Sequence, residues 1–359
     1  MTEQRGTAQH PVAVGGVDTH GDTHHAAVLD EVGRQLADRA FPTTPAGYRQ
    51  LLAWLRSFGR LERVGVEGTG AYGAALARML RQAGVTVVEV DRPDRKARRL
   101  KGKSDPADAY SAAWAALSGR STGTPKSRDG RIEAIRTLRV TRRGAVKART
   151  QAINQLRALL ITGPAELREQ LRGLPKTALV NACARLRPTA DLADPGQATK
   201  AALRRLARRH QHLTAEIAEL DAELTTLVTA AAPELLTLPG VGVETAGQLL
   251  TTAGDNPERL HSDAAFAHLC GAAPIPASSG RTDRHRLNRG GDRWANCALH
   301  TIALSRMRWH EPTRAYAARR RQQGLSNKEI MRCLKRLIAR QIYYVIRRLE
   351  ITKTAPATA

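Results

Sequence analysis

Four acidic residues occupy positions where a carboxylate could hold a metal ion: Asp18, Glu67, Asp105 and Asp108. Asp18 follows the strand-like segment G-G-V, and Glu67 follows V-G-V at the end of a second such segment. The last two acids stand three apart in K-S-D-P-A-D-A, so one side of a helix can present both. Carboxylate oxygens are the ligands that Mg²⁺ prefers, and paired ions of this kind stabilise the attacking and leaving oxygens of phosphoryl transfer. The four acids therefore predict a site for Mg²⁺ or another divalent cation.

Each acid also has an ordinary structural explanation. Asp18 could be a turn aspartate. Asp105 could be the N-cap of a helix whose first turn contains Pro106 and Asp108. This interpretation is compatible with a metal site, because a helix start can also hold two carboxylates toward an ion. The histidines in H-G-D-T-H-H, residues 20–25, suggest zinc, but strand alternation separates them and structural or surface histidines are more usual.

A serine pair in a basic loop is the second candidate for chemistry. Ser278 and Ser279 precede Gly280, and arginines follow closely in the sequence. These arginines are Arg281, Arg284, Arg286, Arg289 and Arg293. A serine hydroxyl among guanidinium groups could attack a phosphodiester, with the arginine charge stabilising the transition state. The alternative is a Ser-Gly turn beside a basic loop that binds nucleic acid, and composition alone favours this alternative.

The composition favours a polyanionic partner. The chain of 359 residues has 57 Lys+Arg against 33 Asp+Glu, a formal net charge of +24. Aromatic residues make up only 4%, which argues against binding of single strands by serial base stacking. The four separated cysteines contain no CxxC, so they predict a reducing compartment without a zinc ribbon or disulfide frame. No signal-like segment or run of ~18 apolar residues occurs, so we expect a cytoplasmic, nucleoid-associated protein without a membrane partner.

Residues 1–125 are predicted to form a mixed α/β domain. Period-2 patterns indicate three strands within residues 11–42, and a helix follows over 45–58. The remaining elements are predicted as strand 63–67, helix 73–83, strand 85–90 and helix 106–117. This order of three strands, helix, strand, helix, strand and helix is typical of the ribonuclease-H-like, or RuvC-like, fold.

Residues 126–232 are predicted to form a helical region. Apolar residues recur at helical spacing over 131–161 and again over 199–231, with a coiled-coil-like pattern in the second stretch. An antiparallel hairpin within one chain and an intermolecular coiled coil explain this pattern equally well. The proline-containing segments between the two stretches indicate turns or an insertion.

Residues 233–359 are predicted to form a mostly helical C-terminal domain. The segment around L-P-G-V-G is typical of a helix-hairpin-helix, in which Gly240 and Gly242 leave backbone N–H groups free to bind a phosphate. The last helix begins with a capping box from Ser326 to Glu329. Leu337 is among the apolar residues expected on the buried side of that helix.

These motifs together resemble a known family. The segments V-D-T-H, V-x-V-E-G-T-G-x-Y and K-S-D-P-A-D-A are similar to the amino-terminal domain of the DEDD-type insertion-sequence transposases, the IS-one-ten family, also called bridge-RNA-guided recombinases. L-P-G-V-G, G-A-A-P-I-P-A-S-S-G and N-R-G-G-D-R-W resemble that family's C-terminal transposase domain. The resemblance spans nearly the whole chain, and the motif blocks occur in the family's order.

The resemblance implies specific roles for the candidate residues. The four acids correspond to the acidic tetrad of a RuvC-like domain, and Ser279 corresponds to the nucleophile, with Ser278 as the alternative. The family acts on donor and target DNA with a structured noncoding guide RNA. Its members form oligomers, so a dimer or tetramer is expected, in which acidic and serine domains of different protomers can meet. The resemblance thus implies site-specific DNA cleavage and strand exchange of an insertion sequence.

Two other functions remain open at this point. The acidic residues alone could serve a metal-dependent junction endonuclease that uses water as its nucleophile. The C-terminal motif alone could belong to a helix-hairpin-helix protein that binds nucleic acid without catalysis. Unchanged cleavage and rejoining in a Ser279→Ala variant would favour the endonuclease over the serine mechanism. Unchanged DNA activities in Glu67→Ala and Asp105→Ala variants would favour the non-catalytic binding protein.

Overall fold

The computed structural model describes residues 11–90, 104–281 and 285–349. Arg284 and the basic run K-A-R-R-L-K-G-K, which was expected to contact phosphates, lie outside the described residues.

The chain divides into two compact units. The first combines the residues up to Gly130 with Ala253–Ser262. The second combines Arg131–Thr252 with the segment that begins at Asp263. The division into three domains at residues 125 and 232 stays a prediction.

A five-stranded mixed sheet organises the first unit, with the strand order β3-β2-β1-β4-β5. The strands are β1 (Val12–Thr19), β2 (Thr23–Asp30), β3 (Gln35–Pro42), β4 (Arg60–Glu67) and β5 (Thr86–Val90). The first three strands pair antiparallel, whereas β4 runs parallel to both β1 and β5. Among the described residues of this unit, three helices accompany the strands: α1 (Pro45–Arg56), α2 (Ala74–Gln82) and α3 (Asp105–Leu117). The predicted mixed α/β architecture of this region is confirmed.

One face of the sheet contains the main apolar core of this unit. Because side chains alternate along a strand, Val64 and Val66 of β4 lie on the same face. They pack with residues from α1 and α2, which include Leu51, Leu55, Leu76 and Leu80. Thr44 begins α1 by accepting a hydrogen bond from the backbone N–H of Gly47, and Pro45 occupies the first turn.

The opposite face of the sheet is covered by α3, which approaches it very closely. A Cβ at Gly16 of β1 would lie 2.2 Å from the carbonyl oxygen of Ala109 and 2.2 Å from the backbone nitrogen of Ala113. A Cβ at Gly65 of β4 would lie 2.3 Å from the carbonyl oxygen of Ala112. Glycine in the strands and alanine in the helix therefore allow the two backbones to meet.

A long helical hairpin dominates the second unit. It is formed by α4 (Arg131–Thr162) and α7 (Pro195–Ala231). Arg131 donates to the carbonyl oxygen of Ala230 at 3.0 Å, and Arg142 pairs with Asp221, so the two helices run antiparallel. The intrachain hairpin is thus present, and an additional intermolecular coiled coil stays a prediction.

The segment between the hairpin helices is itself helical, which the sequence interpretation as turns or an insertion missed. It contains α5 (Ala165–Leu171) and α6 (Lys176–Ala184). Leu167 and Leu171 of α5, with Leu179 and Val180 of α6, are buried in one cluster with residues of both long helices. Short helices of this kind gain their stability from such packing rather than from their own propensity.

The remainder of the second unit is mostly helical, as predicted. Its helices are α8 (Pro233–Leu236), α9 (Val243–Ala253), α10 (Asp263–Leu269), α11 (Arg293–Trp309), α12 (Glu311–Gln322) and α13 (Asn327–Arg348). A two-stranded ribbon joins β6 (Ile275–Pro276) to β7 (His285–Arg286) in antiparallel pairing. Across the described ranges, no helix is both long and apolar enough to span a bilayer.

The last helix confirms one local prediction and corrects another. The backbone N–H of Ser326 donates to Glu329 at 2.9 Å, and the Ser326 hydroxyl accepts from the backbone of Glu329, so the capping box is formed. The prediction that Leu337 is buried is wrong, because 43% of its surface is exposed. It lines a cavity instead of the core formed by Leu334 and Ile338.

Candidate active site

Asp18 and Glu67 lie on the same face and at the same edge of the sheet. Gly16 and Gly65 are register partners in the parallel β1–β4 pair, and both face α3. Asp18 and Glu67 each follow two residues later, so the period-2 geometry of strands turns both toward the α3 face. The hydroxyl of Thr19 donates to the backbone oxygen of Glu67 at 2.9 Å and ties the two strand ends together.

The first turn of α3 brings the other two acids to this edge. Ala109 and Ala113 lie over Gly16, and Ala116 packs with Val14, which is earlier in β1. The helix therefore runs against the direction of β1, and its N-terminus lies toward the carboxyl end of that strand. All four predicted acids thus come from elements that converge at one edge.

The start of α3 differs by one residue from the prediction. Ser104, not Asp105, is the N-cap, since its side chain accepts a hydrogen bond from the backbone N–H of Ala107 at 3.4 Å. The serine hydroxyl satisfies the orphan N–H group that Asp105 was expected to satisfy. Asp105 is therefore the first helical residue, with its carboxylate released from a capping role, and it is exposed. Asp108, in the same turn, is only 3% exposed.

Asp18, His20 and Asp105 form a cluster with the spacing of metal ligands. Each residue offers one ligand atom, and these atoms lie within 4.8 Å of one another. Nδ1 of His20 lies 3.6 Å from Oδ2 of Asp18. Asp18 is buried, His20 is half-buried and Asp105 is exposed, so the cluster opens to solvent on the Asp105 side. Among the described residues, Glu67 and Asp108 lie outside this group, although they belong to the same edge.

His20 is the residue that the sequence interpretation missed. It was considered only with its neighbouring histidines as a zinc motif. Its signal in the sequence is its position: His20 stands two residues after Asp18, directly after β1 ends at Thr19. The other histidines of that motif are elsewhere: His24 is fully buried and stacks on Tyr48, and His25 is 2.7 Å from Asp38. Burial lowers the pKa of His24, so this histidine is best accounted for as a neutral core residue.

Ser278 and Ser279 lie in an exposed loop between β6 and β7. Gly280 follows with a φ of +55°, a backbone conformation that favours glycine. The tight Ser-Ser-Gly loop is therefore present as predicted, and both serine side chains are accessible. These two serines belong to the second unit, whereas the four acids belong to the first.

The loop arginines are exposed where they are described. Arg281, Arg286, Arg289 and Arg293 all have exposed side chains, and none of them forms an ion pair within the described part of the chain. Exposed guanidinium groups without carboxylate partners remain available to phosphates. Asp292 accepts from the backbone N–H groups of Trp294 and Ala295 at 2.8 and 3.2 Å, and so caps α11 where the loop ends.

The Gly240–Gly242 turn only partly fits its predicted role. Gly240 has a φ of +71°, as such a turn requires. The N–H of Gly242 is not free, because it donates to the Thr245 hydroxyl at 3.1 Å, and the N–H of Val241 donates to the carbonyl oxygen of Leu238. Arg306, which is buried, donates to the carbonyl oxygen of Pro239 at 2.7 Å. Local bonding thus uses N–H groups that were expected to bind an anion.

Two family models match the chain. Residues 15–162, which include the four acids and His20, match a DEDD model described as a transposase. Residues 232–318, which include the serine loop, match a model described as the transposase IS116/IS110/IS902 family. The chain belongs to this transposase family. Together the two matched regions cover well over half of the transposase chain, and they are separated by the segment that contains α5, α6 and α7.

A curated relative supports the same family. The transposase chain is 35% identical over 121 residues to a Streptomyces coelicolor protein named "Insertion element IS110 uncharacterized 43.6 kDa protein". The matched stretch is 33% of this chain and 29% of that relative, so it spans less than a third of the relative's length.

Proposed function

We propose that this transposase cleaves and rejoins DNA at specific sites during movement of an insertion sequence. The observation that carries the proposal is the convergence of Asp18, Glu67, Asp105 and Asp108 at one edge of the sheet. Carboxylates gathered in a chain with a net charge of +24 are suited to hold cations against phosphates. The family match supports DNA as the substrate.

The proposal includes a RuvC-like fold for the first unit. The strand order β3-β2-β1-β4-β5, with three antiparallel strands followed by two parallel ones, supports this fold. The position of an acid at the end of the central strand β1 supports it further. Fold alone does not specify function, so the four acids carry the functional proposal.

The donor set suits a divalent cation. Asp18 and Asp105 would hold the ion through carboxylate oxygens, and His20 would add a nitrogen. A bound Mg²⁺ or similar ion would polarise the scissile phosphate and neutralise the charge that develops on its oxygens. Glu67 and Asp108 would support the site from the neighbouring strand and the helix turn. The tie between Thr19 and the Glu67 backbone keeps the two strand ends in place.

Ser279 is the proposed nucleophile, with Ser278 as the alternative. Its Oγ would form a bond to the phosphorus, and its proton would pass to a base in the assembled site. The bond from phosphorus to one deoxyribose oxygen breaks, and that oxygen takes up a proton. The resulting serine phosphodiester retains the energy needed for rejoining, and exposed arginines such as Arg281 and Arg286 would stabilise the charged phosphorane oxygens.

A structured noncoding guide RNA and a homo-oligomer complete the proposal. The exposed loop arginines offer phosphate contacts, and Gly240 and Gly242 remain candidates for backbone contacts to nucleic acid. The hairpin of α4 and α7 is the proposed oligomerisation element. A dimer or tetramer would allow serine and acidic domains of different protomers to meet.

A covalent-adduct assay tests the nucleophile. The chain with its guide RNA is incubated with labelled donor DNA, and denaturing electrophoresis measures the protein–DNA adduct. We expect Ser279→Ala to abolish the adduct, while Ser121→Ala, a serine outside the loop, leaves it unchanged. Loss of the adduct in Ser278→Ala, but not in Ser279→Ala, would identify Ser278 as the nucleophile. Cleavage at the wild-type rate in both loop variants would favour water as the nucleophile and the endonuclease alternative.

A further inference from the structure

The second unit contains a cavity of about 820 Å³ at the base of the serine hairpin. Residues 271–274, the β7 strand and side chains of α12 and α13 line it. Its volume lies in the range typical of sites for small organic ligands. The strands β6 and β7 leave the rim of this cavity, and the loop that they support carries Ser278 and Ser279.

The lining of the cavity is strongly cationic. Its basic side chains are Arg286, Arg320, Arg332, Lys335 and Arg336, and Glu329 is the carboxylate that accompanies them. Glu329 is already engaged, since its side chain accepts from the backbone and hydroxyl of Ser326 at 2.9 and 2.7 Å. A carboxylate that accepts hydrogen bonds keeps its charge, so the lining has one negative side chain against five basic ones.

Only part of this positive charge is compensated. Arg336 pairs with Asp263 at 2.7 Å, and Arg332 is 4.0 Å from Glu329. Within the described chain, Arg286, Arg320 and Lys335 have no ion-pair partner. Nη1 of Arg320 donates to Gln323 at 2.8 Å, but its buried Nε has no hydrogen-bond partner.

Among these residues, Lys335 gives the strongest indication of a bound anion. It is only 8% exposed, and its ammonium group donates to the amide oxygen of Asn296 at 2.9 Å. Asn296 in turn donates to the carbonyl oxygens of Cys270 and Gly271, and Gly271 lines the cavity. Burial, and secondarily the charge of Arg332, lower the pKa of Lys335. A buried ammonium with one neutral partner is costly unless an anion joins it.

We propose that this cavity binds a phosphate-bearing nucleotide unit of a nucleic-acid strand, with Lys335 and Arg320 on the phosphate. Apolar groups in the same wall, including Pro274, Leu325 and Leu337, accommodate the sugar or base. The exposure of Leu337 is then a property of a binding surface rather than a packing defect. A strand held here lies at the base of the hairpin that carries the proposed nucleophile.

This inference extends the proposed function, since it names a nucleotide subsite beside the serine loop. Its test uses no cleavage and no metal, so a failure of the nucleotide subsite can be told apart from a failure of the proposed function. The probes are thymidine 3′,5′-bisphosphate and uridine 3′,5′-bisphosphate, with thymidine as the control that lacks phosphate. All measurements include EDTA and the full chain.

Cys333 provides a reporter within the cavity wall. It lines the cavity, whereas Cys297 is exposed and does not. Mass spectrometry follows the alkylation of both thiols by iodoacetamide. We expect millimolar bisphosphate to slow alkylation of Cys333 at least fivefold and to leave Cys297 unchanged, while thymidine has no effect. Protection by either bisphosphate supports the phosphate subsite, and the stronger one identifies DNA or RNA as the occupant.

Matched variants then test whether the protection of Cys333 depends on the basic side chains of the cavity. Lys335→Met and Arg320→Met should each weaken bisphosphate protection at least tenfold. Lys328→Met changes an exposed lysine of α13 outside the cavity. In this variant, bisphosphate should protect Cys333 as it does in the wild type. Thermal unfolding, with and without bisphosphate, measures binding independently. If Lys335→Met fails to fold, Arg320→Met on a different helix decides the result. Absence of protection in the wild type, or full protection in the cavity variants, overturns the proposal.

Discussion

Gly16 of β1 lies directly beside Gly65 of β4, and the backbone of α3 occupies the space where either residue's Cβ would stand. This pair fixes the depth at which the helix lies on the sheet. Asp18 and Glu67 follow two residues later on their strands, and Asp105 begins the helix. The glycine pair therefore sets the distance between the strand acids and the helix acid.

A Gly16→Ala substitution should destabilise the first unit and weaken metal binding together. The added methyl would meet backbone atoms of α3 at 2.2 Å, and overpacking of this kind typically costs about 1–3 kcal/mol. Gly15→Ala is the control, because its methyl would meet the end of the Leu55 side chain at 3.1 Å. Urea unfolding measures stability, and calorimetry measures Mn²⁺ affinity. Equal effects of the two substitutions would show that α3 does not depend on the glycine pair.

The first unit was largely predictable because its sequence patterns are local. Alternation along β1 and β4 and the apolar face of α1 determine those elements without knowledge of the rest of the fold. The capping box at Ser326 was predictable for the same reason. The four acids could be identified because charge at a strand end or helix start is conspicuous in sequence.

The rest depends on contacts between distant residues. Helices α5 and α6 are too short to show a periodic pattern and exist through packing against α4 and α7. Ser104 and Asp105 are both good caps, so only the observed hydrogen bond decides between them. The cavity around Lys335 combines segments some 60 residues apart, from residues 271–274 to α13, and no local pattern indicates it.

A Gly144→Ala substitution should stabilise the helical hairpin. Gly144 lies exposed within α4, and a Cβ there would have nothing within 4 Å. Alanine favours a helix interior over glycine by about 1 kcal/mol. In α9, Gly247→Ala is the matched control, because its Cβ would be only 3.3 Å from Arg139 and Val228. Urea unfolding should show a higher free energy of unfolding for Gly144→Ala but not for Gly247→Ala. A lower free energy of unfolding for Gly144→Ala would indicate that glycine is needed in α4.

The hairpin should lose stability in mild acid through His210. Burial, followed by the positive charges of Lys176 and Arg149, lowers the pKa of His210 in the folded chain. The unfolded chain takes up a proton near pH 6.5, so stability is full above that pH. It then falls by up to about 1.4 kcal/mol per pH unit below it, until the pKa of the folded state is reached.

Two histidine variants isolate this effect. His210→Leu should show a smaller loss of unfolding free energy between pH 7 and pH 5.5 than the wild type. His212→Leu, which changes an exposed histidine of the same helix, should retain the wild-type slope. Buried His24 contributes a slope of the same sign in all three proteins, so the comparison between variants is the informative quantity. An unchanged slope in His210→Leu would contradict the assignment.

His20→Asn should alter metal preference more than metal binding as such. An imidazole nitrogen suits Ni²⁺, whereas Mg²⁺ is satisfied by carboxylates and water. We expect this variant to bind Ni²⁺ more weakly by about tenfold, a typical effect of losing a supporting group, with little change for Mg²⁺. The control is His261→Asn, at an exposed position outside the cluster. Equal losses for both metals would indicate that His20 positions Asp18 rather than acting as a ligand.

The most direct test of the metal site is the Mn²⁺ affinity of the purified chain, measured by calorimetry. Asp18→Asn and Asp105→Asn should each weaken binding by about tenfold or more, since even losses outside the ligand set have effects of this size. Asp22→Asn, which changes an exposed acid close by in the sequence, should bind Mn²⁺ as the wild type does. Wild-type affinity in both Asp18→Asn and Asp105→Asn would contradict the claim that these acids form the metal site.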